Sequence, residues 1–381
     1  RKGSSGTTVY ELFSGSIDST EEIARFTNDA TDDGDNLKTF LLDLDALPPP
    51  VSFPTAKERY KGPLFDAHAH LVGTQDREHN SAEDNRVHIN PETAEGFFAT
   101  LDKENIIGLI GLLPVVHEYF DGDDSYNRSY QEQTLSVINR CDNKLIPFLT
   151  PSSLIGIPPK TQSHDLLKLI DQNFRGNPIP FRGIGEIHTG GILTDSYADM
   201  RLVDPAMLEL FDYAAANDLI VMIHPELSDI EDVRRALIHN PNTVFLLHGL
   251  VNNFDRSGIA EELETLFREH QNVYFSVDAT LMAGYSLLDD RIRNKEQFLA
   301  NLQSKPTYFR LLASSLAFWK PIIEAHPTRM MWGSDLFYWW HYEPDVIHEI
   351  AQFGRDFTAG LDPDVQERFA YRNAIEMLGL P

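Results

Sequence analysis

The sequence has little of what several common classes of protein require. Its 381 residues include one cysteine, Cys141, which excludes an intrachain disulfide framework and a zinc site made of several cysteines. No apolar run approaches the roughly 18 residues that span a membrane, so we expect a soluble protein with no membrane span. The 32 basic residues are outnumbered by 58 acidic ones, which gives a formal net charge of −26 at pH 7. Because nucleic acids bind basic surfaces, we expect no nucleic-acid partner.

The first 60 residues differ from the rest of the chain and predict an N-terminal extension with a proline-rich connector. Ser19-Thr20-Glu21-Glu22 predicts the start of a short capped helix, and Pro48-Pro49-Pro50 predicts a stiff linker. We therefore expect residues 1–60 to be an extension and residues 61–381 to be the main domain. Because the chain begins at Arg1 rather than Met, a cytoplasmic protein and one exported after removal of an N-terminal signal both stay open.

From residue 61 onward, short apolar runs alternate with amphipathic, helix-like stretches. The apolar runs predict eight strands at Leu64–Leu71, Ile106–Leu113, Lys144–Thr150, Phe181–His188, Leu219–His224, Thr243–His248, Val273–Asp278 and Arg329–Asp335. Eight strand–helix units in series predict an α/β fold, the (β/α)8 TIM barrel. A doubly wound open sheet is the alternative, but it does not usually reach eight units. The sequence also lacks the Gly-x-Gly-x-x-Gly turn and the Walker loop of nucleotide-binding sheets.

Two long segments interrupt this alternation. Residues 73–90 follow the first predicted strand, and residues 281 to about 307 follow the seventh. In a barrel both insertions lie on the C-terminal face, where they can form the walls of a site. Ordinary surface loops are the alternative interpretation.

Polar side chains end five of the eight predicted strands. The first strand contains Asp66-Ala67-His68-Ala69-His70, whose two imidazoles point to the same side because side chains alternate along a strand. Burying one of these polar groups alone costs a few kcal/mol unless it is paired or bound to a metal. Strand ends converge at one mouth of a barrel, so one or two divalent cations explain the whole set. The candidate metal ligands are His68, His70, Glu186, His224, His248 and Asp335.

Four more residues at or beyond predicted strand ends are candidates for contacting a substrate: His188, His117, Asp278 and Trp339. His188 shares the inward face of its strand with Glu186, although a role in orienting a ligand explains it equally well. His117 and Asp278 are equally consistent with ordinary loop residues. Trp339 fits either an aromatic pocket or packing in the core.

This combination of motifs resembles the amidohydrolase superfamily of metal-dependent hydrolases, from about Leu64 to the C-terminus. The Gly333-Ser334-Asp335 sequence is similar to the amidohydrolase-related branch, which contains both hydrolases and metal-dependent decarboxylases. The Gly185-Glu186-Ile187 sequence resembles the TatD-like deoxyribonucleases, in which a glutamate takes the bridging position. Other members use a carbamylated lysine there, and the fourth predicted strand of this chain contains no lysine.

The resemblance implies roles for the six candidate ligands. His68, His70 and Asp335 hold a first metal, with Glu186 bridging or completing the site, and the pair His224 and His248 holds a second. With a single metal, His224 joins the first set and His248 polarises the substrate or transfers a proton. With either number of metals, Asp335 takes a proton from the metal-bound water and returns it to the leaving group. Zinc is the expected ion, with manganese, cobalt and iron as alternatives.

We therefore expect a hydrolase that uses metal-activated water on a small ester, lactone or amide. A decarboxylase or related lyase with the same ligands is the first alternative. A TatD-like phosphodiesterase and a non-catalytic metal-binding barrel are further alternatives. The identity of the small-molecule substrate and the formation of a homo-oligomer stay open.

Overall fold

The computed structural model describes most of the predicted barrel and a short N-terminal hairpin. It describes the backbone of residues 8–15 and 21–28, together with residues 59–71, 93–114, 132–150 except 133 and 142, 171, 174, 179–189, 201–250, 258–278, 295–336 and 339–381. The chain divides into two compact units, Arg1–Ser52 and Phe53–Pro381. The predicted boundary between residues 60 and 61 stays a prediction.

The described part of the first unit is a β-hairpin. Strand β1 (Thr8–Gly15) pairs antiparallel with β2 (Glu21–Asn28). The helix predicted to start at Ser19 is therefore wrong. Both segments contain β-branched and aromatic residues that favour strands, and a helix of this length is marginal without packing partners.

Eight parallel strands form the second unit, in the same order in the sheet as in the sequence. They are β3 (Leu64–His70), β4 (Ile106–Pro114), β5 (Leu145–Thr150), β6 (Gly183–His188), β7 (Ile220–His224), β8 (Val244–Leu247), β9 (Val273–Asp278) and β10 (Met330–Gly333). The last strand returns to the first, where the Asp335 N–H donates to the His68 carbonyl at 2.8 Å and the His70 N–H donates to the Leu336 carbonyl at 2.7 Å. The predicted (β/α)8 TIM barrel is confirmed.

Helices surround the barrel and follow the predicted amphipathic stretches. They are α1 (Ala94–Lys103), α2 (Pro205–Ala216), α3 (Ile230–His239), α4 (Ile259–Glu269), α5 (Lys295–Gln303), α6 (Lys305–Ala325), α7 (Pro344–Ala359), α8 (Pro363–Glu367) and α9 (Asn373–Leu378). None of these described helices is long and apolar enough to cross a membrane. The insertion predicted at residues 73–90 lies outside the described residues. The described end of the second insertion contains α5 and the start of α6.

The strands are buried on both faces and separate two apolar layers. The inner layer fills the barrel with alternate strand residues, among them Phe65, Ile110, Phe148 and Met222. The outer layer lies between strands and helices. Burial on both faces explains why the strands read as near-continuous apolar runs. Polar side chains are therefore concentrated where the strands end.

The segment that enters the barrel is held against α7 by a partly buried ion pair. The Arg59 guanidinium donates to both carboxylate oxygens of Asp356, at 2.5 and 2.6 Å. The Tyr308 hydroxyl donates to the same carboxylate at 2.6 Å. Beside it, the Arg355 guanidinium donates to the carbonyl of Gly62 at 2.6 Å. The contact of Arg59 with Asp356 and that of Arg355 with Gly62 each join residues that are nearly 300 positions apart in the chain.

Replacing Arg59 by alanine should destabilise the barrel because it leaves the Asp356 carboxylate buried without its cation. We expect the free energy of unfolding in chemical denaturation to fall by about 2 kcal/mol, less than for a fully buried pair, because the Arg59 side chain is still 24% exposed. The control is Arg268→Ala, which removes an ion pair to Glu269 that is exposed on both sides and should change stability by less than about 0.5 kcal/mol. Equal losses in the two variants would contradict the structural role of Arg59.

Candidate metal centre

A bulge in β3 turns the two histidines of the first strand into the barrel. Phe65 and Ala67 belong to the inner layer, whereas Ala69 belongs to the outer one. Strict alternation would therefore send His68 and His70 outward. The pairing with β4 shifts by one residue between Asp66 and Ala69, and this extra residue reverses the alternation. Both imidazoles consequently lie at the carboxyl end of the barrel.

A second bulge does the same for Glu186 in β6. Ile184 and Ile187 both face the outer layer, and the pairing with β7 shifts between them. Gly185 makes this possible, because its φ is +145° and a Cβ there would lie 2.5 Å from the Cβ of Met222. The bulge leaves the Glu186 carboxylate pointing inward, where it is fully buried.

The donor nitrogens of two histidines lie next to one oxygen of each of two carboxylates: His68, His70, Glu186 and Asp335. Five of the distances between His68 Nε2, His70 Nε2, Glu186 Oε2 and Asp335 Oδ1 lie between 3.1 and 3.5 Å. Ligand atoms about 2.1 Å from a tetrahedral ion lie about 3.4 Å from one another. The spacing and the nitrogen and oxygen donors therefore fit a divalent metal ion, and we call these four residues the first ligand set.

Two further histidines contact the Glu186 carboxylate. His224 Nδ1 is 2.8 Å from Glu186 Oε1, and His188 Nε2 is 3.2 Å from Glu186 Oε2. The imidazole of His224 lies against the backbone of Gly249, where a Cβ would be 2.4 Å from His224 Nε2. Glycine at this position is thus required both by the close approach and by its φ of +86°.

His248 lies next to the first ligand set. Its Nε2 is 3.5 Å from Asp335 Oδ2, and its ring packs edge-on against His68 with the centroids 4.1 Å apart. On its other side, the Nδ1–H faces the carbonyl of Ser276 at 3.4 Å. His248 is therefore oriented toward the second oxygen of Asp335.

The two carboxylates of the site are held in their ionised form. Burial raises the pKa of Glu186, but attraction to His188, His68 and His224 outweighs it and lowers the pKa well below the usual value. Burial likewise raises the pKa of Asp335, and the neighbouring imidazoles again reverse the shift. Two ionised carboxylates, one fully buried and one largely buried, favour a nearby cation.

The pKa values of the histidines at this site shift in different directions, according to whether burial or attraction to the carboxylates is larger. Burial, with the charge of His248, lowers the pKa of His68 to about 4, so its imidazole is neutral at pH 7 as a metal ligand must be. Burial also lowers the pKa of His224. For His248, burial is outweighed by Asp335, which raises the pKa to about 9.

Asp66, which is not among the predicted site residues, joins the first ligand set to the end of β10. Its carboxylate accepts hydrogen bonds from the His68 N–H at 3.1 Å and from the Ser334 N–H and hydroxyl at 2.9 and 2.5 Å. The Tyr342 hydroxyl adds a hydrogen bond to the His70 carbonyl at 2.5 Å. Burial raises the pKa of Asp66 to about 7. The sequence signals for this contact are the Asp before His-x-His and the Ser of Gly-Ser-Asp, and no such contact was predicted from them.

The remaining predicted residues lie in different places. Asp278 is buried at the end of β9, where its charge helps to raise the pKa of His248. Trp339 begins a short 3-10 segment, Trp339–Tyr342, and its side chain lies outside the described part of the structure. His117 also lies outside the described residues. The predicted substrate contacts of these residues stay predictions.

Comparison with known proteins agrees with this architecture. The sequence profile of the amidohydrolase family matches residues 65–380, which is most of the chain. The chain belongs to the amidohydrolase family. Membership identifies it as an enzyme of the metal-dependent hydrolase type, and the predicted TatD-like role of Glu186 stays a prediction. No curated protein matches the chain.

Several solved structures share the fold at low sequence identity. An amidohydrolase from Burkholderia multivorans with bound HEPES is 14% identical, with a TM-score of 0.51 over 84% of this chain and 100% of the other. A phosphotriesterase homology protein from Escherichia coli, complexed with phosphate in its active site, is 10% identical, with a TM-score of 0.50 over 84% and 100%. A 4-oxalomesaconate hydratase from Rhodopseudomonas palustris is 10% identical, with a TM-score of 0.45 over 83% and 95%. The first two similarities establish a shared fold and leave the substrate open.

Replacing Asp66 by alanine should leave the buried N–H groups of His68 and Ser334 without an acceptor. We expect the free energy of unfolding to fall by about 3 kcal/mol, because each unsatisfied group costs about 1–3 kcal/mol. Asp66→Asn retains one oxygen acceptor and should lose only about 1 kcal/mol. Chemical denaturation measures both variants, and equal losses would show that Asp66 does not act through these hydrogen bonds.

Replacing Gly249 by alanine should displace the His224 imidazole. Gly258→Ala is a matched control, because Gly258 has a φ of +85° but its nearest atom would be 3.8 Å from an added Cβ. Both variants should lose about 1–2 kcal/mol of stability through backbone strain. Only Gly249→Ala should also weaken zinc binding, by about tenfold or more, as changes beside metal ligands do. Isothermal titration of the metal-free proteins with zinc measures the affinity. Equal zinc affinities in the two variants would contradict the idea that the contact with Gly249 positions the His224 imidazole.

Proposed function

We propose that this enzyme hydrolyses a small ester, lactone or amide with one divalent ion held by the first ligand set. The observation that carries the proposal is the spacing of the four ligand atoms, from 3.1 to 3.5 Å in the measured pairs. Imidazole nitrogens and carboxylate oxygens suit zinc, and manganese, cobalt and iron accept the same donors. Zinc is the ion we propose.

The ion supplies Lewis acidity, which activates water and polarises a carbonyl group. The residues around it supply proton transfer and orientation. Asp335 has one oxygen facing His70 and the other facing His248, and its side chain is 17% exposed. In the proposed reaction Asp335 accepts a proton from the attacking water and returns it to the leaving group. Asp66 holds the backbone beside Asp335 in place, because its carboxylate accepts hydrogen bonds from the N–H groups of His68 and Ser334.

His248 is proposed to stabilise the substrate oxygen that becomes negative during the reaction. Its attraction to Asp335 raises its pKa to about 9, above the ordinary value. A protonated imidazole beside the reacting carbonyl acts as a donor to a developing oxyanion. Its hydrogen bond toward the Ser276 carbonyl holds the ring in place.

The proposal is tested by zinc removal and by a screen of esters, lactones and amides. Dialysis against a chelator should abolish hydrolysis, and added zinc should restore it. The double variant His68→Ala/His70→Ala should lose nearly all activity and should not regain it with zinc, because two of the four ligands are gone. His239→Ala is the control, because it removes an exposed histidine on α3 and should retain full activity.

The same screen separates hydrolysis from decarboxylation, since carboxylic-acid substrates are included and carbon dioxide is measured. Release of carbon dioxide without uptake of water from ¹⁸O-labelled solvent would replace the hydrolase with a lyase. Hydrolysis that persists after complete removal of the metal would overturn the proposed mechanism.

A further inference from the structure

The bulge that turns Glu186 into the barrel interrupts the register of β6 with both of its neighbours. On the β5 side, the last pair between these described strands joins Leu149 and Ile184. On the β7 side, pairing stops at Ile184 and resumes at Ile187. Gly185 and Glu186 therefore lie where regular strand pairing does not by itself fix the backbone.

The hydroxyl of Thr150 supplies a hydrogen bond at this interruption. It donates to the Gly185 carbonyl at 2.8 Å, and the contact is buried. Thr150 ends β5, in which Ile146 and Phe148 face the inner layer, so alternation directs the Thr150 side chain into the barrel as well. Buried carbonyl groups need a hydrogen-bond partner, and here a side chain provides one.

Gly185 makes the conformation of the bulge depend on such a contact. Its φ of +145° is accessible to glycine, but a glycine restricts its own backbone little, so neighbouring groups have to fix the conformation. The Gly185 carbonyl and the Glu186 nitrogen belong to one planar peptide unit. A hydrogen bond to that carbonyl therefore fixes the orientation of the unit from which the Glu186 side chain extends.

We propose that Thr150 is a positioning residue for the metal centre, because its hydroxyl holds the Gly185 carbonyl and so directs the Glu186 carboxylate toward the first ligand set. Glu186 Oε2 lies 3.5 Å from His68 Nε2 and 3.4 Å from His70 Nε2. A rotation of the peptide unit would move this oxygen away from the spacing that fits an ion. The inference rests on the proposed metal-dependent hydrolase, since Glu186 belongs to the proposed ligand set.

The zinc affinity of the metal-free full-length protein tests the proposal without relying on activity, and competition with a chromophoric zinc chelator measures it. Thr150→Val keeps the shape of the side chain but removes the donor. We expect its zinc affinity to fall by about tenfold or more, as changes behind metal ligands do. Thr150→Ser keeps the hydroxyl and should bind zinc about as tightly as the parent. A loss in Thr150→Ser as large as that in Thr150→Val would overturn the role of the hydroxyl.

Thr358→Val is the matched control. The buried hydroxyl of Thr358, on α7, also donates to a glycine carbonyl, that of Gly354 at 2.7 Å. Both valine variants should unfold at a lower denaturant concentration than the parent, because each loses a buried hydrogen bond. Only Thr150→Val should bind zinc more weakly. Equal losses of zinc affinity in the two valine variants would reveal a general effect of stability and overturn the proposal.

A double-mutant cycle tests whether Thr150 acts through Glu186. Glu186→Gln should weaken zinc binding by itself, because it replaces an anionic ligand by a neutral amide. Adding Thr150→Val to Glu186→Gln should then cause little further loss, since residues that act through one contact are not additive. A second loss of about tenfold in the double variant would overturn the action through Glu186.

The outcomes distinguish this inference from the proposed function. A parent that binds zinc, together with an unchanged affinity in Thr150→Val, overturns the inference and leaves the hydrolase proposal intact. A parent that binds no zinc overturns both. Circular dichroism checks that each variant is folded. If Thr150→Val is not folded, Thr150→Ala replaces it, and a folded Thr150→Ala with the zinc affinity of the parent overturns the inference.

Discussion

The buried carboxylate of Glu186 is the group on which the arrangement of the barrel mouth depends. Four imidazoles surround it, those of His68, His70, His188 and His224, at distances from 2.8 to 3.5 Å. A buried anion without such partners would be costly. Three strands contribute to this shell, so the electrostatic requirement of one side chain links β3, β6 and β7. The same requirement makes the mouth suited to cations.

The hydrogen bonds that close the barrel also position the first ligand set. β10 returns to β3 through backbone hydrogen bonds on both sides of Asp335, and the carboxylate of Asp66 adds contacts to Ser334. The position of the ligands at the ends of β3 and β10 therefore depends on the hydrogen bonds that join these two strands, which we call the seam. Stability and metal binding are coupled there, because a change that loosens the seam also moves the ligands.

Much of the fold could be predicted because its signals are local. The eight strands are short apolar runs that end in polar residues, and all eight appear within about three residues of the predicted bounds. The helix predicted for the segment from Glu21 was wrong because its structure depends on a partner strand rather than on a local signal. Its cap-like residues predicted a helix, while pairing with Thr8–Gly15 decided the strand. A short segment adopts the structure that its partner stabilises.

The orientation of the side chains in the candidate site could not be predicted from local sequence. The spacing of His68 and His70 predicted a shared face, but it did not predict which face. The bulges in β3 and β6 decide that, and a bulge arises from the pairing of two strands. Likewise, the stacking of His188 on His224 depends on the register between β6 and β7.

The sequence by itself determined the barrel, the kinds of ligand and the strand ends at which they occur. These follow from hydrophobic periodicity and from side-chain chemistry, both of which are properties of neighbouring residues. The tertiary structure decided which way each ligand side chain points and which other side chains contact it. The contact between Asp66 and Ser334 spans 268 positions in the chain. Such a contact is formed only when the last strand closes on the first, so no local pattern specifies its geometry.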